Sequence, residues 1–148
     1  MIIHFVHIIM PSAYYNWLTL IASVWFLCYN STMKENKLLE QSQKFAVAII
    51  QIATDLKTIG QRSLADQIQR SGTSISANIA EGNHPQSRAD MISKFEIALK
   101  EATETENWLV VCNNAHFIEQ ETFEQVHKQL IQIKIILIAS IRTLKAKQ

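Results

Sequence analysis

The chain has 148 residues, and its 14 Lys and Arg against 13 Asp and Glu leave a formal net charge of +1. This length suits one domain with a real core, and the charge balance argues against a dedicated nucleic-acid-binding domain, which is usually clearly basic. Three Gly and two Pro are too few for a turn-rich all-β fold. The two cysteines have no ligand-like spacing, which disfavours a disulfide framework and a structural zinc site.

Residues 1–33 differ from the rest of the chain, because every Lys, Arg, Asp and Glu lies after them. Ala13–Tyr29 is apolar with aromatic residues at both ends, and its length is the short limit for a membrane-spanning helix. Lys34 follows it, so a spanning helix would anchor the rest of the chain on the cytoplasmic side. The alternative is a start codon read too far upstream, with Met33 as the true first residue of a cytoplasmic protein. Residues 34–148 are the predicted folded domain.

Two amphipathic helices are predicted in the first half of this domain. Apolar residues recur at three- and four-residue steps from about Glu35 to Thr58, with Lys and Gln on much of the opposite face. The second helix is predicted to begin at Ser63, a good N-cap residue. It is predicted to end where Gly82 suits a C-cap and Pro85 blocks continuation.

Two further helices are predicted in the second half. The third begins at Ser87, with Asp90 in its first turn, and runs to about Asn113. The fourth runs from about Phe123 to Leu144, with Thr122 as its cap.

Four helices joined by short breaks predict an all-α fold, an antiparallel up-down-up-down four-helix bundle with an apolar N-terminal extension. The fourth helix carries isoleucines beyond those of a single core seam, at Ile131, Ile135, Ile136 and Ile138. Such a wide apolar surface predicts self-association, because soluble monomers rarely leave large apolar patches exposed.

A recognisable pattern begins at "RSGTSISANIAEGN" and continues in "QSRADMISKFEIALKEATETENWL". It resembles a family of bacterial four-helix-bundle proteins named after intervening sequences of large-subunit rRNA. That family is related to the accessory variability protein of diversity-generating retroelements. The matching residues are Arg70, Ser71, Ser74, Ile75, Asn78–Gly82, Ser87, Asp90, Phe95, Ile97–Ala102, Glu104–Glu106, Trp108 and Leu109.

The resemblance covers about Lys34–Lys145 and implies a four-helix bundle that assembles into a homopentameric ring. It implies no enzymatic activity, since none is established for the family. The retroelement relative is a basic protein that works with a reverse transcriptase and nucleic acid. This chain departs from that pattern, because it is nearly neutral and has His84 where many relatives carry Arg.

Basic residues of the second and third helices are the candidate nucleic-acid contacts. They are Arg62, Arg70, Arg88, Lys94 and Lys100. Repeated around a ring, they would form a positive band even on a nearly neutral chain. The alternative, favoured because surface charges usually pair or remain solvated, is ion pairing with Glu96, Glu101 and Glu104.

Small and polar residues share one side of the second helix and are predicted to permit close helix packing. Ser74 and Asn78 are the predicted polar ties of this surface, and a buried Asn78 amide would need partners. One such buried amide can set the register and the oligomeric state of a bundle. Glu81, near the turn, is predicted to pair with Arg88.

The sequence gives little support for a catalytic site or a metal site. The chain contains neither a phosphate-binding loop nor a G-x-S-x-G nucleophile motif. Glu124 and His127 have the spacing of half a di-iron site, but the second half is missing. The sequence therefore predicts no cofactor and no metal, and a non-enzymatic, homo-oligomeric scaffold or adaptor with an RNA or protein partner. The alternative is a nucleic-acid-binding accessory protein that works with RNA or a reverse transcriptase.

Overall fold

The computed structural model describes residues 36–146, and within this range all regular structure is α-helical. The helices are α1 (Lys37–Thr58), α2 (Arg62–Gly82), α3 (Arg88–Asn114) and α4 (Gln120–Ala146). The predicted all-α four-helix bundle is confirmed. Between 36 and 146, none of the helices is long and apolar enough to cross a membrane. The predicted anchor or over-long start in residues 1–33 lies outside the described residues.

The four helices form a square, each packed on two neighbours. Helix α2 packs between α1 and α3, and α4 completes the square against α3 and α1. Among the described helices, the diagonal pairs α1 with α3 and α2 with α4 have no Cα atoms within 8 Å of each other. The outer surface shared by α1 and α2 therefore lies opposite the outer surface shared by α3 and α4. These two surfaces are called the α1–α2 face and the α3–α4 face below.

Apolar residues at three- and four-residue steps on every helix form one continuous core. Fully burying a large aliphatic or aromatic side chain stabilises a fold by about 1.5–3 kcal/mol. Ile136 of α4 packs against this core, whereas the neighbouring Ile135 and Ile138 remain exposed. The largest fully buried apolar side chains are Phe45, Ile49, Leu56, Ile68, Ile75, Ile79, Leu109, Leu130, Ile133 and Leu137.

Helix α2 approaches both neighbours closely at two glycines. A Cβ atom at Gly72 would lie 2.6 Å from Cγ2 of Ile49 in α1, and one at Gly82 would lie 2.6 Å from Cε1 of Phe95 in α3. Neither distance is compatible with a real side chain, so both positions require glycine as α2 is now placed. The stretch "SGTSISANIAEGN" is therefore helical up to Gly82, and its small residues do permit close packing.

The ends of α2 differ from the prediction. Helix α2 begins at Arg62 with Gln61 as its N-cap residue, so the predicted Ser63 cap is wrong. The cause is the tight α1–α2 turn, in which the Gln61 backbone N–H donates to the Leu56 carbonyl at 2.9 Å. This bond places Gln61 at the start of α2, so the helix begins one residue before Ser63. Gly82 is the last helical residue rather than the cap, and Asn83 holds the C-cap position.

The starts of the last two helices give one confirmation and one correction. Ser87 caps α3 as predicted, because its hydroxyl accepts a hydrogen bond from the Asp90 backbone N–H at 3.1 Å. Helix α4 begins at Gln120, so the predicted Thr122 cap is wrong. The Phe123 N–H already donates to the Glu119 carbonyl at 3.0 Å, which places Thr122 inside the first turn.

Replacing Gly72 by Ala should lower the free energy of unfolding by about 1–3 kcal/mol, the usual range for an overpacked core. The added methyl group would overlap the Ile49 side chain, and this outweighs the roughly 1 kcal/mol by which Ala favours a helix over Gly. Urea unfolding followed by circular dichroism measures the change. The control is the same substitution in an Ile49→Ala background, where the loss should be clearly smaller. An equal loss in both backgrounds would contradict the proposed overlap.

Candidate functional site

Arg70, one of the candidate nucleic-acid contacts, is paired with acidic residues of the neighbouring helix. Its Nη2 donates to Oε1 of Glu104, and its Nη1 lies 3.8 Å from Oε2 of Glu101. Glu104 also accepts from the indole N–H of Trp108 at 3.3 Å. The predicted ion pairing is confirmed for this arginine, whose guanidinium connects α2 to α3.

Lys94 and Arg88 also have partners within the bundle. Lys94 Nζ donates to Oε2 of Glu81, and this hydrogen bond raises the pKa of Lys94. Arg88 Nη2 donates to the carbonyl of Leu144 at 2.5 Å and so connects the start of α3 to the end of α4. The sequence predicted Arg88 as the partner of Glu81, and that prediction is wrong. Lys94, nearly two turns into α3, reaches back to Glu81 of α2, whereas Arg88 reaches the end of α4.

The two remaining candidate contacts, Arg62 and Lys100, lie on the surface. Both are exposed, and neither forms an ion pair with any residue between 36 and 146. Arg62 opens α2, and Lys100 lies near the middle of α3. The candidate contacts therefore do not form one unpaired basic cluster, although their role in nucleic-acid binding stays a prediction.

The predicted polar ties Ser74 and Asn78 bond within α2. The Asn78 side-chain amide is half-buried and donates to the Ser74 carbonyl at 2.8 Å. Within one copy, the amide therefore bonds to its own helix rather than to a neighbouring helix. Its role as a polar tie that sets register or oligomeric state stays a prediction.

A fully buried polar contact between helices lies seven residues earlier on the same side of α2. Ser71 and Thr105 are fully buried, and their hydroxyl oxygens lie 2.9 Å apart. Ser71 donates onward to the Gln67 carbonyl at 3.1 Å, so neither hydroxyl lacks a partner. Sequence reasoning missed this contact, although Thr105 follows Ala102 by three residues and precedes Leu109 by four, which is a core position.

A second network joins α3 to α4. Glu106 Oε1 lies 3.0 Å from Nε2 of His127, and Glu106 Oε2 accepts from Nζ of Lys134 at 2.5 Å. The hydrogen bond from Lys134 lowers the pKa of Glu106, partial burial opposes that effect, and His127 adds a smaller lowering. The ring of Phe123 stacks on His127 with centroids 5.2 Å apart. Glu124 does not join this network, and its carboxylate accepts a hydrogen bond from the side-chain amide of Gln120 at 2.8 Å.

The described residues offer few groups suited to metal binding or to nucleophilic catalysis. In the part of the chain that the structure describes, no three His, Cys, Asp or Glu side chains are grouped so that they could hold a metal ion. Cys112 is buried, and burial raises the pKa of its thiol to about 11. A thiol in that state is a poor nucleophile, because the reactive form is the thiolate.

Two open grooves lie at the α2–α3 turn and between α3 and α4. The first has a volume of about 550 Å³. It is lined by Ala80, Glu81, His84, Gln86, Asp90 and Lys94. The second has a volume of about 390 Å³ and is mainly apolar. It is lined by Met91, Phe95, Ala139, Ser140, Thr143 and Leu144. In the first groove, Lys94 and Asp90 already serve an ion pair and the α3 cap, so neither is a spare catalytic group.

An apolar strip runs along the α3–α4 face. His127, Ile131, Lys134 and Ile138 follow one another at steps of four, three and four residues, so they share one side of α4. Because His127 and Lys134 bind Glu106 of α3, the two isoleucines also lie on the side of α4 next to α3. Ile138 is 43% exposed.

Two neighbouring residues widen this strip. Ile135 of α4 is 60% exposed, and Val110 of α3 is exposed four residues after Glu106, on the side of α3 that meets α4. The α3–α4 strip is defined as Val110, Ile131, Ile135 and Ile138.

A smaller apolar strip lies on the α1–α2 face. Ile50 precedes Lys57 by seven residues and shares its side of α1. Lys57 lies 3.1 Å from the carboxylate of Asp66 in α2, so Ile50 also lies next to α2. Val47, one turn away, is 68% exposed. The α1–α2 strip is defined as Val47 and Ile50.

The fold and these surfaces define a small helical bundle in which several charged side chains pair across the helices and several large apolar side chains remain exposed. The chain belongs to the 23S rRNA-intervening sequence protein family, which it matches over residues 34–139. It is also similar to a crystal structure, at 1.70 Å resolution, of a protein of unknown function. That protein is from the S23 ribosomal protein family of Bacteroides thetaiotaomicron VPI-5482.

The likeness to the Bacteroides structure extends over nearly the whole of that protein. The two are 41% identical with a TM-score of 0.70, and the match covers 74% of this chain and 99% of the other. No curated protein matches this chain. The comparisons establish the family and the fold, and the related structure has no known function to transfer.

Acidification should weaken the fold through Glu106. Its folded-state pKa lies below the unfolded value of about 4.3, so its stabilising effect is present above that value and is lost as the pH falls through the folded-state pKa. Urea unfolding between pH 7 and pH 3 should show a smaller decline in the free energy of unfolding for Glu106→Gln than for the unchanged chain. Glu121→Gln, at an exposed residue in the first turn of α4, is the control. Identical pH profiles for Glu106→Gln and the unchanged chain would contradict this assignment.

Proposed function

We propose that this chain is a non-enzymatic, cytoplasmic protein that assembles with copies of itself into a scaffold or adaptor. The observation that carries the proposal is the α3–α4 strip, where Ile135 and Ile138 are 60% and 43% exposed. Contiguous apolar surfaces on soluble proteins are usually sites of association. By resemblance, the assembly is a pentamer.

The pairing of the basic residues supports a scaffold over a nucleic-acid-binding protein. Arg70 and Lys94 are neutralised by acids of the neighbouring helix, and Arg88 is engaged by a carbonyl of α4. A phosphate would have to compete with these partners. Affinity for nucleic acid depends mainly on cations that are free to neutralise phosphates, and in this chain most of the candidates already have partners.

The state of the reactive side chains supports a non-enzymatic role. Glu106, His127 and Lys134 satisfy one another and connect α3 to α4. The Cys112 thiol is buried with a raised pKa. A catalytic group needs a partner that activates it and access to a substrate, and these residues are engaged in holding the bundle together.

The alternative is an accessory protein that binds RNA, alone or with a reverse transcriptase. Its support is the description of the family, which refers to an intervening sequence in 23S rRNA, together with the exposed Arg62 and Lys100. Copies arranged in a ring would repeat these two cations several times and so raise the local positive potential.

Multi-angle light scattering of the purified full chain should give a mass several-fold above the 16.9 kDa of one copy. The apolar strip favours association, and a pentamer would give a mass about five times that of one copy by resemblance, as a ring closed by a repeated contact. The mass should persist on dilution into the low micromolar range, as expected for an assembly held by apolar burial. A mass of one copy at all concentrations would contradict the scaffold proposal.

The RNA alternative makes a separate prediction about salt. If the chain binds RNA through its cations, affinity for a 23S rRNA fragment should fall steeply between 50 and 200 mM salt. The double variant Arg62→Gln, Lys100→Gln should bind more weakly and with a shallower salt slope, measured by filter binding. Lys44→Gln, which removes a charge from α1, is the control and should leave the slope nearly unchanged. A chain that assembles and shows no salt-dependent binding supports the scaffold and rejects the RNA alternative.

A further inference from the structure

Five residues form a single line along the outer side of α4. They follow one another at steps of three, four, three and four residues, which is the spacing by which one helix packs on another. The line extends over about 21 Å, because each residue adds about 1.5 Å of helix. It is called the α4 seam, and its members are Lys128, Ile131, Ile135, Ile138 and Arg142.

The α4 seam is apolar in the middle and positive at both ends. Lys128 and Arg142 lie seven residues before and after Ile135, and both are exposed. Within residues 36–146, neither of these two cations has an ion-pair partner. Lys134, on the side of α4 that meets α3, differs in this respect because it is paired with Glu106.

The acids close to the two ends of the seam are engaged elsewhere. Glu124 precedes Lys128 by one turn, but its carboxylate accepts from the side-chain amide one turn earlier at 2.8 Å. Glu96 of α3 is paired at 2.6 Å with Lys145, which follows Arg142 by three residues. Both cations of the seam are therefore available to an acid from outside the chain.

The apolar centre and the two cations together specify a partner. We propose that the α4 seam binds an amphipathic helix of a partner protein, whose apolar residues cover the isoleucines and whose Asp or Glu side chains meet Lys128 and Arg142. Helices recognised in this way lay apolar residues, spaced at three- and four-residue steps, against an apolar surface. The inference rests on the proposed adaptor role, and it names the chemistry of the partner that the adaptor takes.

The seam suits such a helix better than it suits RNA or a lipid surface. Proteins bind RNA through cations that follow its backbone and through aromatic or arginine side chains on which the bases stack. Helices that lie in a membrane interface carry many cations beside aromatic and leucine side chains. The α4 seam has two cations, separated by three isoleucines, and no aromatic residue.

Pairing two α4 seams with each other is unfavourable. The seam is symmetric about Ile135, so either direction of pairing brings Lys128 and Arg142 against like charges of the second copy. An acidic helix neutralises these two cations while it covers the same isoleucines. It should therefore displace a copy that is held through the α3–α4 strip.

Two matched peptides test the inference on the full chain. Each is a fluorescent helix of about 20 residues, long enough to span the seam, with leucines at three- and four-residue steps. One carries Glu and the other Lys at the positions that flank the leucines. By fluorescence anisotropy, the Glu peptide should bind the unchanged chain about tenfold more tightly, because it gains two exposed ion pairs and avoids like charges.

Charge reversal on the seam provides the decisive comparison. The double variant Lys128→Glu, Arg142→Glu should prefer the Lys peptide, and a gain of binding cannot come from a folding defect. The control Lys37→Glu, Arg62→Glu makes the same change in net charge at exposed positions of α1 and α2 and should keep the preference for the Glu peptide. Ile135→Ala should weaken the binding of both peptides about fivefold.

Two results would overturn the inference. One is equal affinity for the two peptides, or a preference that the double variant does not reverse. The other is an unchanged chain that binds a 23S rRNA fragment or phosphatidylserine vesicles but not the Glu peptide, which would assign the seam to RNA or to a lipid surface.

Light scattering separates this inference from the proposed function. Saturating Glu peptide should lower the assembled mass, and a bound peptide that leaves this mass unchanged would contradict the displacement. A chain that is monomeric at every concentration and still binds the Glu peptide rejects self-association and supports the docking of an acidic helix. An assembled chain that binds neither peptide overturns the docking and leaves self-association standing.

Discussion

The close approach of α2 to α1 and α3 is the constraint on which the rest of the bundle depends. Gly72 brings α2 against Ile49, and Gly82 brings it against Phe95, at distances that leave no room for a side chain. Next to Gly72, the Ser71–Thr105 contact fixes α2 along the length of α3 inside the core. This alignment of α2 on α3 places Arg70 opposite Glu101 and Glu104. It also determines which side chains lie on the outer surfaces of the bundle.

Three of the candidate nucleic-acid contacts connect helices of the bundle instead of remaining unpaired. Arg70, Lys94 and Arg88 all looked available for phosphate in the sequence, yet each holds one helix to another in the structure. The Glu106 network does the same between α3 and α4. As a result, fewer cations are available for phosphate than the sequence suggested, which supports the proposed association with a further copy over nucleic-acid binding.

The sequence predicted the helices well, because apolar residues at three- and four-residue steps are a repeated signal. It predicted the Ser87 cap for a local reason, since Ser87 and Asp90 are close in sequence. It failed for side-chain partners that depend on how residues distant in sequence pack together. Nothing near Asn78 indicates that its amide bonds to its own helix, and the partners of Glu81 and Arg88 depend on how far α3 and α4 extend past the turn. The exposed strips were only partly predictable, because exposure depends on which side each helix turns to its neighbours.

Helix α4 differs from the other helices in how it is held. Of the four neighbouring helix pairs, α4 and α1 have the least extensive contact. Helix α4 is joined to α3 by side-chain ion pairs such as Lys134 to Glu106 and Lys145 to Glu96, and not by a close approach at a glycine. The same helix carries most of the α3–α4 strip. Any molecule that covers the strip therefore also holds α4 in place, so by mass action the local opening of this helix would decrease as the concentration of that molecule rises.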